Sequence, residues 1–421
     1  MPRILLFAAT TGYQTKSFVE AARRRGVDVL LATDRCHIME DPWGDSAIPV
    51  RFEDPEESAA FVVSEILSRR VSIDGIVAVA DRPTQLASLT ASRLALPWHP
   101  PHAAAACRDK YQMHVLFAEA GLPVPRFRLL PEGTDPHVAA RSQEFPCVLK
   151  PLGLSGSRGV IRANHQAEFI QAFRRICRIL EQAGLPQSLQ LEQYIPGREF
   201  ALEGLMNHGA LHTLAIFDKP DPLEGPFFEE TIYVTPSREP AETQFAIEDT
   251  VRQAARALGL WHGPIHAEMR VNTDGVFMLE IAARPIGGLC ARVLRLRSPQ
   301  YPDPLSLEEV LILQAIGALP PDLSPDAAGD TSAAGVMMIP VPRAGVLHAV
   351  HGSEDAEAVP WIEDVVLTAK PGEMLVPLPE GASYTGFLFA RAPDPASAEQ
   401  SLRQAHRALR FDILSALDVL G

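Results

Sequence analysis

Residues 266–288 read HAEMRVNTDGVFMLEIAARPIGG, two apolar-rich runs about a Thr-Asp-Gly that has the composition of a tight turn. If Thr273-Asp274-Gly275 is a three-residue loop with Gly275 left-handed, Val271 faces Phe277, Arg270 faces Met278, and Glu268 lies directly opposite Glu280. Carboxylates opposed across a sheet repel unless a cation neutralises them. Mg²⁺, a hard cation, takes such oxygen ligands together with substrate phosphates. A turn made of Asp274-Gly275 alone slips the pairing by one and sends the glutamates to opposite faces as two solvated strand residues. The hairpin alone leaves both readings open.

Its neighbours add chemistry. Arg284 follows Glu280 by four residues and precedes Pro285 and the Gly287-Gly288 pair. An arginine beside a metal-bound phosphate steadies charge during phosphoryl transfer; the plainer reading is a surface residue paired with a carboxylate. His266, two residues before Glu268, shares its strand face and would line the same cleft. Upstream, LQLEQYIPGRE (189–199) runs from strand into a hinge whose exposed backbone N–H and C=O groups can read an adenine edge. Residues 147–160, CVLKPLGLSGSRGV, read as strand, flap of small residues, strand. In a Walker loop the lysine follows the glycines and opens a helix; here Lys150 precedes them and Pro151 follows it, so the geometry is different.

The remaining chain sets the frame. A length of 421 residues with 47% apolar content accommodates two to four domains with real cores. Net charge is −14 without clustered Lys or Arg, which argues against nucleic acid or an anionic membrane as partner. Five scattered cysteines suit a reducing compartment rather than a disulfide framework or zinc site. The apolar run in MPRILLFAATTGY is too short for a signal peptide, and no stretch approaches the roughly 20 apolar residues of a membrane span. The expectation is a soluble cytoplasmic protein.

Strand–helix alternation over the first hundred residues (strands at Ile4–Ala9, Val27–Ala32 and Ile73–Ala80, helices at Ser17–Arg25 and Phe61–Arg70) predicts a parallel sheet covered on both faces. The first turn, Thr10-Thr11-Gly12-Tyr13, lacks G-x-G-x-x-G, so Asp34 reads as a turn residue rather than a ribose ligand. Beyond it the pattern predicts a helix at Lys110–Ala120, strands at Phe127–Leu130 and Leu189–Gln193, and a helix at His165–Gln182. A hairpin about Asn207-His208-Gly209, a helix at Thr243–Leu258, a linker over 320–331, a β-rich stretch to Ala390 and a final helix Ser397–Leu420 complete the reading.

Taken together, Lys110 at a helix start, Lys150 before its flap, Glu192 to Glu199, the pair Glu268 and Glu280, and Arg284 strongly resemble the ATP-grasp superfamily, most closely its L-amino-acid or carboxylate–amine ligase branch. The resemblance is specific over residues 100–290. It implies an α/β Rossmann-like pre-ATP-grasp domain (1–105), two α+β ATP-grasp lobes (106–195 with the flap, 196–320 with the metal site) and a small β-rich C-terminal α+β domain (332–421). It implies that Lys110 and Lys150 contact phosphates, that Ser155, Gly156, Ser157 and Gly159 form the flap, that Glu192 and Ile195 border adenine, and that Glu199 holds the ribose. Glu268 and Glu280 would bind Mg²⁺, with Mn²⁺ as a substitute. Arg284, with Lys150 and His266, would serve the reaction, and Glu230, Tyr233, Arg284 and Gly287 would face substrate. Ala282 stands where many members have a metal-binding asparagine, and Tyr233 where the ligase branch has a histidine.

The function so implied is an ATP- and Mg-dependent ligase joining a small carboxylate to an amine through an acyl-phosphate, with an amino acid as the substrate the family pattern implies; a homodimer is compatible with it. The rival is an ATP-grasp carboxylase acting on bicarbonate, biotin-carboxylase-like or purine-biosynthetic, although Pro-Ile-Gly-Gly-Leu-Cys after Arg284 lacks the Gln-Val-Glu-His run of biotin carboxylases. A non-catalytic nucleotide- or NAD-binding protein is disfavoured by the missing glycine fingerprint.

Overall fold

The computed structural model describes residues 1–10, 14–34, 46–326, 332–381 and 383–415. The N-terminal elements are β1 (Arg3–Ala8), α1 (Thr15–Arg24), β2 (Asp28–Thr33), β3 (Ala47–Pro49), α2 (Pro55–Arg69), β4 (Gly75–Val79) and α3 (Asp81–Leu94). The strands are parallel in the order β3-β2-β1-β4. Ile4 to Phe7 and Ile76 are fully buried, as expected where helices cover both faces. Helix α2 starts at Pro55, before the expected Phe61, because its first turn is polar and carries no apolar period; Pro55, Glu56 and Glu57 supply an N-terminal start signal instead. Asp34 accepts from the Thr10 N–H and hydroxyl and from Arg82, which makes it a turn-closing residue. Thr11, Gly12 and Tyr13 lie outside the described residues. Strand order reverses at β1, so a crevice opens at the carboxyl ends of β1 and β4.

After α4 (Pro101–Ala106) come α5 (Lys110–Glu119), β5 (Phe127–Leu130), α6 (Pro136–Arg141), β6 (Cys147–Pro151), β7 (Ile161–Ala163), α7 (Gln166–Gln182) and β8 (Leu189–Gln193). The four strands form an antiparallel sheet in the order β5-β8-β6-β7. Asp109 caps α5 by accepting from the N–H groups of Tyr111 and Gln112, a cap worth about 1 kcal/mol. Helix α7 places Phe169, Phe173, Ile176 and Leu180 on one face, and they pack with Leu149 and Leu191.

The second sheet begins with β9 (Arg198–Asn207), β10 (Ala210–Lys219) and β11 (Ile232–Thr235), followed by α8 (Ala241–Leu258), β12 (Gly263–Asn272) and β13 (Gly275–Ala282). His208 and Gly209, both at positive φ (50° and 85°), make the two-residue turn between β9 and β10. The ladder runs β13-β12-β9-β10-β11 and continues through Ala333–Ile339, Gly386–Ala392 and Ile362–Leu367, so eight strands share one sheet. The expected last helix is shorter than read: it spans Pro395–Ala408, and Arg410–Leu414 is a strand paired with Gly345–His351. The apolar period changes from helical (Ala398, Leu402, Ala405) to alternating (Phe411, Ile413) after Ala408, which is the physical reason. Residues 416–421 lie outside the described residues. Among the described residues no helix is long and apolar enough to cross a membrane.

Gly197, in the hinge between β8 and β9, has φ 129°, and a Cβ there would sit 2.4 Å from the Val271 carbonyl oxygen. Gly197→Ala is therefore expected to cost about 2 kcal/mol, since strain and backbone collision coincide. A thermal unfolding midpoint equal to that of the parent would refute this.

Candidate active site

The 266–288 hairpin closes differently from the expected loop yet reaches the expected pairing. Thr273-Asp274 is a two-residue turn with Asn272 opposite Gly275; Val271 then faces Val276, Arg270 faces Phe277, and Met269 faces Met278. One extra residue, Leu279, bulges from β13, and Glu268 comes to lie opposite Glu280. The turn expectation was off by one, and the bulge compensates it. Asn272 Oδ1 accepts from the Asp274 N–H at 2.8 Å, an Asx turn that favours the tighter loop.

Each glutamate is held by a lysine. Lys110 Nζ lies 2.8 Å from Glu280 and donates to the Leu154 carbonyl at 3.0 Å. Glu268 accepts from Lys219 Nζ at 3.0 Å and lies 3.4 Å from His266 Nε2. Lys219, at the end of β10, also meets Glu199 at 3.0 Å and Glu230 at 2.5 Å, and its ammonium stands 5.0 Å from the Tyr233 ring centre. Burial opposes the Lys219 charge, but Glu230 and Glu268 outweigh it and hold the ammonium well above its usual range. Burial and the facing Glu268 push Glu230 up to about 7. Tyr233 is buried, with its hydroxyl 3.4 Å from Glu268.

On the other side of the cleft, Lys150 Nζ pairs with Glu192 at 2.7 Å. Burial would raise the Glu192 carboxyl, but Lys150 holds it below the ordinary value. Glu192 thus turns its carboxylate toward Lys150. Ile195 gives its carbonyl to Arg270 at 2.9 Å, and Arg270 also reaches Glu199 at 3.0 Å, bracing the hinge. In the flap, Gly156, Ser157 and Gly159 all have positive φ, and Ser155, Gly156 and Ser157 line the cavity. Gly159 does not line it; its N–H is used elsewhere in the fold.

Arg284 is buried rather than on the surface. Its Nε donates to Asp81 at 2.8 Å and its Nη1 to the Pro285 carbonyl at 3.0 Å. Burial works against both charges, yet each holds the other ionised: Asp81 lies below its usual range and Arg284 above. His266 lines the cavity and contacts Glu203 through Nδ1 at 3.1 Å. Burial lowers the imidazole pKa, but Glu203 and Glu268 outweigh it and raise it to about 9. Glu203 is fully buried and also accepts from the Ile286 N–H. Gly287 lines the cavity and is exposed.

Lys110, Lys150, Glu192, Glu268, Glu280 and Arg284 are among the residues that line one cavity of about 490 Å³, within the range of small-ligand sites. Its lining includes Ala9, Ala80 and Asp81, at the carboxyl end of the parallel sheet, and Met338, Tyr384 and Phe387 from the C-terminal part of the chain. Glu268 and Glu280, carboxylates opposed on adjacent strands, are donors of the kind a hard divalent cation takes. Lys219, Asp81, Arg270 and Glu203 were not singled out in the sequence. Each owes its position to a partner 20 to 203 residues away, and no local spacing marks that.

Residues 143–293 match the ATP-grasp domain family model, and residues 337–413 match that of the L-amino acid ligase C-terminal domain 2. The chain contains an ATP-grasp domain. It is 31% identical to carnosine synthase 1 of Gallus gallus over 83% of this chain and 39% of that one. It is 25% identical to alanine–anticapsin ligase of Bacillus subtilis over 65% of this chain and 62% of the other. The chain thus spans less than two thirds of either relative. Among solved structures, the L-amino acid ligase of Bacillus licheniformis shares the fold with a TM-score of 0.78 at 22% identity, covering 99% of both chains. Biotin carboxylase of Campylobacter jejuni shares it with a TM-score of 0.66 at 15% identity, covering 98% of this ATP-grasp chain and 92% of the other.

Proposed function

We propose that this ATP-dependent ligase joins a small carboxylate to an amine, at least one of them an amino acid, through an acyl-phosphate. The observation that carries the reading is the register that sets Glu268 opposite Glu280 in a cavity where Lys110, Lys150 and Arg284 converge. Glu268 and Glu280 would hold Mg²⁺, which supplies charge neutralisation at the phosphates when bound. Lys110 and Lys150 take phosphate oxygens, and the Ser155–Ser157 backbone closes over them. Glu199 faces the ribose and the 193–195 backbone the adenine edge.

A substrate carboxylate oxygen attacks the γ-phosphorus, the bond to the bridging oxygen breaks, and ADP leaves. The amine nitrogen then attacks the acyl carbon, the bond to the phosphate oxygen breaks, phosphate departs, and the amine proton is lost. The protein's part is to position and to neutralise. Arg284, oriented by Asp81, holds the oxygens of the mixed anhydride with its planar fork. His266, Glu230, Tyr233 and Gly287 face the substrates.

The test is ADP release across pools of amino-acid pairs, with bicarbonate as a separate arm. ADP is expected only with a carboxylate substrate, accompanied by an amide product. Turnover on bicarbonate alone, with no amine-containing product, would replace the ligase reading with the carboxylase.

A further inference from the structure

The flap is held from outside the ATP-grasp lobes. The Gly159 N–H donates to the Pro379 carbonyl at 3.0 Å, and Arg158 Nε donates to the Glu380 carbonyl at 2.9 Å. The Glu380 carboxylate in turn receives Arg175 of α7 through both arms, at 2.6 and 2.8 Å. Such a two-pronged pair fixes direction as well as distance. The Arg175 guanidinium also lies 5.0 Å from the ring centre of Phe227, whose backbone bridges to Ile161 at the end of the flap.

The segment bearing Glu380 is a compact turn. The Gly381 N–H donates to the Pro377 carbonyl at 3.0 Å. Only glycine fits there, because a Cβ would fall 1.8 Å from the Val376 carbonyl oxygen. Three and four residues beyond Glu380, Ser383 and Tyr384 line the cavity, beside Phe387 and Met338. One part of this segment therefore grips the flap, and another lines the same cavity that the flap lines.

We propose that Glu380 is a positioning residue that ties closure of the phosphate flap to occupation of the Ser383–Tyr384 wall by the amino-acid substrate. The proposal rests on the ligase reading above. A substrate seated against Tyr384 steadies the turn, the turn steadies Arg158 and Gly159, and the closed flap holds ATP and keeps water from the acyl-phosphate. Coupling of this kind is reciprocal: amino acid and ATP each raise the affinity for the other.

The experiment compares the full chain with Glu380→Ala, Glu380→Gln and the charge swap Arg175→Glu/Glu380→Arg, using the amino-acid pair that gives the strongest ADP release. The parent is expected to give ADP and amide in equal amounts. In Glu380→Ala and Glu380→Gln, ADP should exceed amide, and the gain in ATP affinity produced by the amino acid should shrink by about tenfold. The swap should restore both toward the parent. Unchanged stoichiometry and unchanged mutual dependence in Glu380→Gln, or no recovery in the swap, would overturn the proposal. A separate arm needs no turnover: trypsin should cut at Arg158 in the apo protein, with Mg-ATP protecting the parent more than Glu380→Gln. Equal protection would also overturn the proposal. Absence of ADP release by the parent with every amino acid would instead count against the ligase reading, while the proteolysis arm still judges the latch.

Discussion

Glu280→Gln is expected to lower ADP release at saturating Mg²⁺ by at least about 100-fold, the scale of one lost charge-stabilising contact at a transition state. Under the proposed assignment Glu280 is one of two carboxylates that hold the metal, and an amide oxygen is a far poorer ligand for a hard cation. Opposed carboxylates on their own would suggest that removing one charge stabilises the apo protein. The structure reverses that sign. Lys110 already neutralises Glu280 at 2.8 Å, so the substitution leaves a largely buried ammonium without its partner. The apo thermal midpoint should therefore fall, not rise, while the chain stays folded. Turnover near that of the parent would remove Glu280 from the metal site.

Arg284→Lys is expected to reduce amide formation by about 100-fold with ATP affinity preserved. Lysine keeps the charge and can still meet Asp81, but it has no planar fork to hold the Pro285 carbonyl, Asp81 and an anhydride oxygen in fixed directions. The measurement pairs nucleotide affinity with product formation. An equal loss of both would make Arg284 a nucleotide contact, and near-normal product formation would free it from the reaction altogether.

Local pattern carried much of this protein. The order Lys110, Lys150 with its flap, Glu192 to Glu199, and the Glu268–Glu280 hairpin is a run of short signals, each decided by its own turn, cap or alternation. The expected pairing of the two glutamates came about by another route than the one read: the two-residue turn shifts the register by one, and the Leu279 bulge, which no residue pattern marks, shifts it back. The helix start at Pro55 and the strand at Arg410–Leu414 were missed, the first for want of an apolar face in its opening turn and the second because periodicity changes within a few residues. Tertiary structure alone decided which charges meet. Lys219 collects Glu199, Glu230 and Glu268 from three other strands or loops, and Asp81, at the start of α3, crosses to Arg284 over 203 residues. A charged side chain written in sequence reads the same whether it is solvated or paired. Only burial, which strips water from it and demands a partner, gives it a single place.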